Sequence, residues 1–225
     1  MNGPIVTLDG PAGSGKSTTA KAVAARLGFR HLDSGALYRA LTLALLEKGV
    51  AESEWDQLTE EQMRALDVRV VPSERGFDVH VNGRLVLDEL RVADVTSRVA
   101  HLASLRPSRA TLLTLQRSAG EHGSLVADGR DMGTVVFPHA DVKVYLVADL
   151  TERARRRLRD EGIDEPTDED VSRQSSSMAG RDRQDSEREH APLRKAEDAH
   201  LIDTTRLSFQ EQVDTIVARA EALRS

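Results

Sequence analysis

Several features that mark other classes of protein are missing from this sequence. It has no cysteine, which excludes disulfide bonds and thiolate chemistry. The apolar segment 40–46 is followed by Glu47 and Lys48, so it falls well short of a transmembrane helix. Ile5 already begins a run typical of a core strand, and we therefore expect no signal peptide. The 7 histidines lack the spacing of metal ligands, and we expect them to be structural. These absences predict a cytoplasmic protein.

Length and charge set further limits. The 225 residues are enough for one α/β domain with a substantial core and few for two, so we expect one domain over residues 1–225. A hydrophobic content of 39% and a charged content of 30% are typical of a soluble globular protein. The net charge of -6 argues against a general affinity for nucleic acid, but a local basic cleft could still bind a small anion.

The most informative motif is the segment 10–17, GPAGSGKS. It matches G-x-x-x-x-G-K-[ST] and lies between the apolar run 5–8 and a helical stretch at 18–27, which disfavours a Gly-rich turn arising by chance. Its glycines let the backbone wrap a phosphate, and the amides of the loop and first helical turn stabilise the anion. Lys16 would reach the β- and γ-phosphates, and Ser17 would ligate Mg²⁺. The predicted residues for binding a nucleoside triphosphate are Gly10, Pro11, Ala12, Gly13, Ser14, Gly15, Lys16, Ser17 and Thr18.

A second strand and helix follow this loop. Residues 29–33 have the pattern of a short strand, and Asp33 begins a helix that runs to about Glu47. Two strand-helix units in succession predict a parallel sheet, in which ligands gather at the carboxyl ends of the strands. The residues that would then face the nucleotide are Ser34, Tyr38 and Arg39. The alternative is an ordinary cap followed by a solvated helix face.

The pattern changes after Gly49. Short alternating runs follow at 68–71, 77–81 and 85–87, after a short helix at 58–66. Asn82 and Gly83 are a strong hairpin signal, so we expect a small antiparallel meander here. Helices are predicted at 92–103 and at 107–120. The insertion is either an arm for a second substrate or a stabilising decoration.

The remaining chain returns to strand-helix alternation. Strands are predicted at 124–128, 142–147 and 200–204, and a last helix at 209–223 begins with a capping box from Ser208. The helix that starts near Asp149 is rich in arginine and is either a solvated face or one arm of a lid that closes on phosphates. Residues 162–180 are polar and predict a mobile loop. Beyond this loop, three residues are spaced to share one helix face: Arg181, Asp185 and Arg188. They form either a ligand site or a structural ladder of salt bridges.

Four segments are similar to a known family. They are LDGPAGSGKS at 8–17, LDSGALYRA at 32–40, DGRDMGTVVFP at 128–138, and residues 182–193 with the pair Asp185 and Ser186 and the run APL. Together they resemble the bacterial cytidylate kinases, in the nucleoside monophosphate kinase group of P-loop kinases. Many kinases share the first segment, whereas the second and third together are highly specific.

The resemblance implies an α/β fold with a P-loop NTPase-type parallel five-stranded sheet flanked by helices. It also implies a small antiparallel β insertion at about 49–105 that forms a CMP-binding arm, and a short lid at about 153–188. The implied reaction moves the γ-phosphoryl group of ATP, with Mg²⁺, to CMP or dCMP. We expect a monomer without nucleic-acid or membrane partners.

Individual roles are implied by the same resemblance. The residues implied to read cytosine are Ser34, Arg109 and Asp131, those near the sugar are Ser97, Arg181 and Asp185, and those near the monophosphate are Arg39, Arg130 and Arg188. The substrate-binding set is completed by Tyr38 and Asp128. The residues expected to act in catalysis are Lys16, Arg130, Arg181 and Arg188.

Two rival functions share the motif at 10–17. One is a P-loop kinase that acts on UMP, AMP or an acceptor that is not a nucleotide. The other is a P-loop switch protein that binds a nucleotide and hydrolyses it slowly, which a strand-linked loop alone does not exclude. The switch protein offers no role for Asp131 and Arg109 together.

Overall fold

The structure is a computed structural model that describes residues 3–74 and 76–223. Its strands are β1 (Gly3–Asp9), β2 (Arg30–Asp33), β3 (Val68–Ser73), β4 (Gly76–Val81), β5 (Arg84–Leu85), β6 (Gly123–Gly129), β7 (Val142–Val147) and β8 (His200–Asp203). Its α-helices are α1 (Lys16–Leu27), α2 (Ser34–Glu47), α3 (Glu60–Arg64), α4 (Ala93–Ser104), α5 (Arg106–Ala119), α6 (Leu150–Asp160), α7 (Asp168–Glu187) and α8 (Phe209–Glu221). Short 3₁₀ helices cover Glu52–Gln57 and Asp88–Arg91, and a π-helical turn covers Met132–Val136. Within the described ranges, no helix combines the length and apolar character needed to cross a bilayer.

One sheet of eight strands forms the centre of the fold, in the order β3-β4-β2-β6-β1-β7-β8 with β5 paired to β4. The strands β2, β6, β1, β7 and β8 pair in parallel, which confirms the predicted five-stranded parallel core. Alternation along β6 places Leu125 and Ala127 in one hydrophobic cluster, with α2 and α5, and Val126 in another, with α1 and α8. Helices therefore cover both faces of the parallel core.

The inserted meander extends this sheet. Asn82 and Gly83 both adopt the left-handed conformation, with φ of 51° and 77°, as a tight hairpin between β4 and β5 requires. The strand β4 runs beside β2 through a single pairing of Gly76 with His31. A Cβ atom at Gly76 would lie 2.7 Å from the carbonyl oxygen of His31, so glycine permits this approach. The insertion is thus a continuation of the core sheet at the edge of β2.

The prediction of a mobile loop at 162–180 is wrong. Most of this segment belongs to α7, a helix of 20 residues that begins with a capping box between Thr167 and Asp170. Val171 and Met178 lie seven residues apart on one face and pack with Ala154 and Leu158 of α6. Each buried apolar side chain contributes about 1.5 to 3 kcal/mol, whereas a serine in a helix costs under about 0.7 kcal/mol relative to alanine. Packing against α6 therefore stabilises a helix in this segment, although its polar composition favours a loop.

The sheet register brings three acidic residues to one edge. Asp9 ends β1 beside Gly129 of β6, and Asp33 ends β2 beside Asp128 of β6. Because these strands are parallel, their carboxyl ends meet at the same edge of the sheet. The motif at 10–17 and the helix α2 begin at this edge, which places it at the centre of the candidate site.

Candidate active site

The loop between β1 and α1 is shaped for a close approach of the backbone to an anion. Gly10 has φ of 149°, and a Cβ atom there would lie 2.1 Å from the carbonyl oxygen of Leu146. Gly15 precedes α1 with φ of 89°, and no side chain in the described ranges caps the first turn of that helix. The amide groups of this turn therefore stay available, and the helix dipole adds partial positive charge. This is the geometry of a phosphate-binding loop.

Lys16 folds back over the loop. Its Nζ donates a hydrogen bond of 2.8 Å to the carbonyl oxygen of Pro11, and only 6% of the residue is exposed. Burial, and then the nearby charge of Arg130, lower the pKa of Lys16 to about 7, although Asp128 and Asp9 act in the opposite direction. The ammonium group thus lies in a site where a phosphate would favour its charged form.

Ser17 and Asp128 form a pair of oxygen donors beside the loop. The hydroxyl of Ser17 donates to Asp128 Oδ2 at 2.5 Å, and His31 Nε2 lies 2.7 Å from Asp128 Oδ1. Burial raises the pKa of Asp128, but the hydrogen bonds from His31 and Ser17 outweigh it and hold the pKa below its usual value. The carboxylate is therefore kept ionised next to the hydroxyl that the sequence assigned to a metal.

Arginines from separate elements lie close enough to act on one another electrostatically. Arg39 lies on α2, Arg130 follows β6, Arg157 lies on α6 and Arg181 lies on α7. Burial, and then the charges of Arg130 and Arg39, lower the pKa of Arg181 to about 10. Arg130 pairs with Asp185 at 2.8 Å, which offsets part of the repulsion. Four cations brought this close are typical of a site for a multiply charged anion.

A second cluster surrounds Asp131, which is 2% exposed. Its carboxylate forms an ion pair with Arg109 and lies 3.6 Å from Nη2 of Arg188. The guanidinium of Arg109 lies 5.7 Å from the ring centroid of Tyr38. Burial raises the pKa of Tyr38 to about 12, so this phenol stays neutral. A carboxylate and a guanidinium held edge to edge can present both an acceptor and donors to a planar ligand.

Ser34 belongs to the same region. It is 3% exposed, and its hydroxyl accepts a hydrogen bond of 2.8 Å from Nε2 of Gln116 on α5. A cleft of about 290 Å³ opens beside this pair and is lined by Arg106, Arg109, Ala110, Leu113, Gln116, Val135, Glu189, His190 and Ala191. The cleft lies next to the Asp131 cluster, because Arg109 belongs to both.

Two predicted substrate-binding residues form no hydrogen bond or ion pair with the two arginine clusters in the described ranges, and their roles stay predictions. Ser97 is exposed on α4, and its one hydrogen bond among the described residues goes to the carbonyl oxygen of Asp94. Asp128, expected among the substrate-binding residues, contacts Ser17 and His31 beside the phosphate-binding loop. The other predicted substrate-binding residues join one of the two clusters. They are Ser34, Tyr38, Arg39, Arg109, Arg130, Asp131, Arg181, Asp185 and Arg188.

Sequence reasoning missed several supporting residues. Asp9 accepts hydrogen bonds from the amides of Met132 at 2.8 Å and Gly133 at 2.7 Å, and so ties the start of the loop to the segment after Asp131. Burial raises the pKa of Asp9 to about 7. Its position directly before Gly10 was a usable signal. Gln116 gave no such signal, because a buried glutamine on a helix has no motif of its own.

Comparisons with known proteins cover nearly the whole chain. The family described as Cytidylate kinase matches residues 6–222. A cytidylate kinase of Exiguobacterium sibiricum is 44% identical over 97% of this chain and 95% of its own length. A cytidylate kinase of Bacillus subtilis is 41% identical over 96% of each chain. A solved structure from Eubacterium ventriosum has a similar fold, with a TM-score of 0.50 at 11% identity, and covers 97% of this chain and 99% of its own. Since the matched range contains the phosphate-binding loop and both side-chain clusters, the chain belongs to the cytidylate kinase family.

Proposed function

We propose that this chain transfers the γ-phosphoryl group of ATP to CMP or dCMP, giving ADP and CDP or dCDP. The observation that carries the proposal is the position of Arg130. It contributes to the low pKa of Lys16 in the phosphate-binding loop, and it contacts Asp185 in the acceptor-side cluster. One guanidinium therefore stands between a site for the donor phosphates and a site for a second anion. Membership of the cytidylate kinase family supports CMP as the molecule that carries this second anionic group.

The donor site uses the loop at 10–17 and the start of α1. Its amides cradle the phosphates of ATP, and Lys16 exchanges the carbonyl oxygen of Pro11 for phosphate oxygens. Its charge is then neutralised by the phosphates, so binding raises the pKa of Lys16 from about 7. Thr18 follows the metal-binding serine on α1 and completes the donor site.

Mg²⁺ fits the oxygen donors beside the loop. No group of three or more metal-binding side chains occurs within the described ranges. Mg²⁺, however, commonly takes one or two protein oxygens and completes its shell with water and nucleotide phosphates. Ser17 would ligate the ion, with the ionised Asp128 beside it. When bound, the ion would neutralise charge on the β- and γ-phosphates.

The acceptor monophosphate lies among Arg39, Arg130 and Arg188 in this proposal. Its second pKa is about 6, so the attacking oxygen is already ionised at neutral pH and needs no general base. The arginines hold this oxygen in line with the γ-phosphoryl group and offset the charge of the transferring group. Arg181 approaches from α7, where burial lowers its pKa to about 10, which leaves it cationic at neutral pH.

The base of the acceptor is read by Asp131 and Arg109. Cytosine offers an amine donor at N4, which the carboxylate of Asp131 accepts, and an acceptor at N3, which takes a hydrogen bond from Arg109. Arg109 donates to Asp131 and to the carbonyl oxygen of Ala103, and it also hydrogen-bonds to Tyr38. A guanidinium has five donors, so others are available for the base. Ser34 contributes a hydroxyl that Gln116 orients.

The sugar contacts and the moving parts complete the proposal. Ser97 and Asp185, with Arg181, contact the ribose in this proposal, and α4, which carries Ser97, already lies against α7. The insertion at 49–105 is the CMP-binding arm, and residues 153–188 are the lid that excludes water. The chain acts as a cytoplasmic monomer, and its net charge of -6 supports the absence of a nucleic-acid partner. Sedimentation with and without substrates would test the monomer.

A panel of acceptors tests the reaction. We expect ADP release from ATP to depend on CMP or dCMP and to be weak with UMP, AMP or an acceptor that is not a nucleotide. The variant Lys16→Met keeps the bulk of the side chain and removes its charge, so turnover should fall by orders of magnitude with the fold retained. Equal rates with and without an acceptor would instead support a slow hydrolase. Normal turnover of a folded Lys16→Met protein would contradict the donor-site assignment.

A further inference from the structure

The lid helices form hydrogen bonds to Ala12 of the phosphate-binding loop. Its amide donates a hydrogen bond of 3.0 Å to Asp182 Oδ1 on α7. Its carbonyl oxygen accepts a hydrogen bond of 2.9 Å from Nη1 of Arg153 on α6. Both polar groups of this one loop residue are therefore engaged by side chains from the two lid helices.

These two side chains also bind each other. Arg153 Nη1 lies 2.5 Å from Asp182 Oδ2, and the side chains are only 9% and 19% exposed. A further hydrogen bond of 3.1 Å runs from Nε of Arg153 to the carbonyl oxygen of Ala148, which fixes the guanidinium at the start of α6. A partly buried ion pair with this many hydrogen bonds holds a defined geometry.

Apolar contacts join the lid to the loop at the same place. Ala12 packs against the cluster formed by Ala154, Leu158, Val171 and Met178, which is the small core between α6 and α7. The neighbouring Gly13 has φ of 69°, and a Cβ atom there would lie 2.6 Å from Cε of Met178. The lid core thus rests directly on the phosphate-binding loop.

We infer that Arg153 and Asp182 are positioning residues, and that they set the shape of the phosphate-binding loop by fixing both peptide groups of Ala12. The alternative is that Asp182 only fills the place of a phosphate in the loop. Its carboxylate would then be unpaired, whereas here it forms an ion pair with Arg153. The preceding residue, Pro11, supplies the carbonyl oxygen that holds Lys16. The pair Arg153 and Asp182, which we call the clamp, therefore acts on the donor site. It links the geometry of that site to α7, which also carries Arg181 and Asp185. This inference rests on the proposed use of the loop for ATP.

The first experiment compares Asp182→Ala with Asp182→Asn. Alanine removes the acceptor for the amide of Ala12, whereas the carbonyl oxygen of asparagine retains it. We expect Asp182→Ala to raise KM for ATP roughly tenfold, the effect of one lost charge-assisted hydrogen bond, and to change KM for CMP less than twofold. Asp182→Asn should stay within about threefold of wild type. Arg173→Ala, which removes an exposed ion pair on the same helix, should leave both constants unchanged.

The second experiment exchanges the two charges. The double variant Arg153→Asp with Asp182→Arg re-forms an ion pair, but its new guanidinium faces the amide of Ala12, and two donors cannot bond. We expect it to regain thermal stability relative to Asp182→Ala without regaining KM for ATP. The inference would be overturned if Asp182→Ala and Asp182→Asn had equal KM for ATP, or if the charge exchange restored KM for ATP. It would also be overturned if Asp182→Ala raised KM for ATP and KM for CMP equally.

A binding measurement separates this inference from the proposed reaction. The dissociation constant of ATP, measured by calorimetry without an acceptor, should rise in Asp182→Ala as KM does. If the wild-type protein bound ATP but did not phosphorylate CMP, the proposed function would fail while the clamp stayed testable. An unchanged ATP dissociation constant in a folded Asp182→Ala protein would refute the clamp itself.

Discussion

Replacement of Asp131 by asparagine tests how the base is recognised. In uracil the N4 amine of cytosine is replaced by a carbonyl oxygen, so the carboxylate of Asp131 would face a second acceptor and repel it. An asparagine side chain can turn either its oxygen or its NH₂ toward the base. We therefore expect Asp131→Asn to lower kcat/KM for CMP and to narrow the gap between CMP and UMP.

Burial sets the magnitude of this effect. The side chain of Asp131 is 3% exposed, so water does not replace the lost interaction. A hydrogen bond to a charged group contributes about 1.5 to 3 kcal/mol, which corresponds to roughly a tenfold to hundredfold change in the ratio of kcat/KM values. The same change leaves the nearly buried guanidinium groups of Arg109 and Arg188 without their carboxylate, and breaking such a pair costs up to about 5 kcal/mol of stability.

The assay must therefore separate recognition from folding. We would measure kcat/KM for both acceptors well below the Tm of the variant, and record Tm beside it. Asp214→Asn makes the same chemical change at an exposed pair with Arg26 and should leave the ratio unaltered. A folded Asp131→Asn protein that keeps the wild-type ratio of CMP to UMP would refute the role of Asp131 in reading cytosine.

Three further predictions follow from charge and capping. ATP binding favours the charged form of Lys16, whose pKa in the free protein is about 7, so the affinity for ATP should fall as pH rises above 7 and calorimetry should detect proton uptake. Lys16→Met should abolish this pH dependence. Asp9→Asn is the control that removes another group with a pKa of about 7. Arg39→Ala should raise KM for CMP more than tenfold and change Tm little, because burial and the like charges of Arg91, Arg157 and Arg130 outweigh the attraction of Asp33 for Arg39 in the free protein. Thr167→Ala should cost α7 about 1 kcal/mol and speed its amide exchange about fivefold, whereas unchanged exchange would deny the cap a role.

Local signals in the sequence were enough for much of the fold. The loop at 10–17 sits between β1 and α1 as predicted, Asp33 caps α2, and Ser208 forms its capping box with Glu211. The hairpin at Asn82 and Gly83 is also confirmed. Each of these features depends on residues within a few positions of one another, so composition and spacing carry the information.

Features that depend on distant contacts could not be predicted in this way. The helix α7 is stabilised because Val171 and Met178 pack against α6. The sequence around the serines at 175–177 does not predict this packing. The contacts of Asp128 with Ser17 and His31 come from its position in β6 beside β1 and β2, and its predicted role in substrate binding stays a prediction. Packing and register decide such contacts, and a single sequence does not display them.

The charges of the arginine cluster give a reason why binding of an acceptor phosphate should act on α7. Arg39 on α2, Arg130 after β6 and Arg181 on α7 come from elements far apart in sequence. Arg130 and Arg39 lower the pKa of Arg181, and Arg130 lowers the pKa of Arg39. Their mutual repulsion opposes close packing of α7 with α2, and the carboxylates of Asp185 and Asp33 offset part of it. A phosphate with two negative charges would offset the remainder. Because α7 also holds Ala12 through Asp182, an acceptor that draws α7 inward would adjust the donor loop by the same movement.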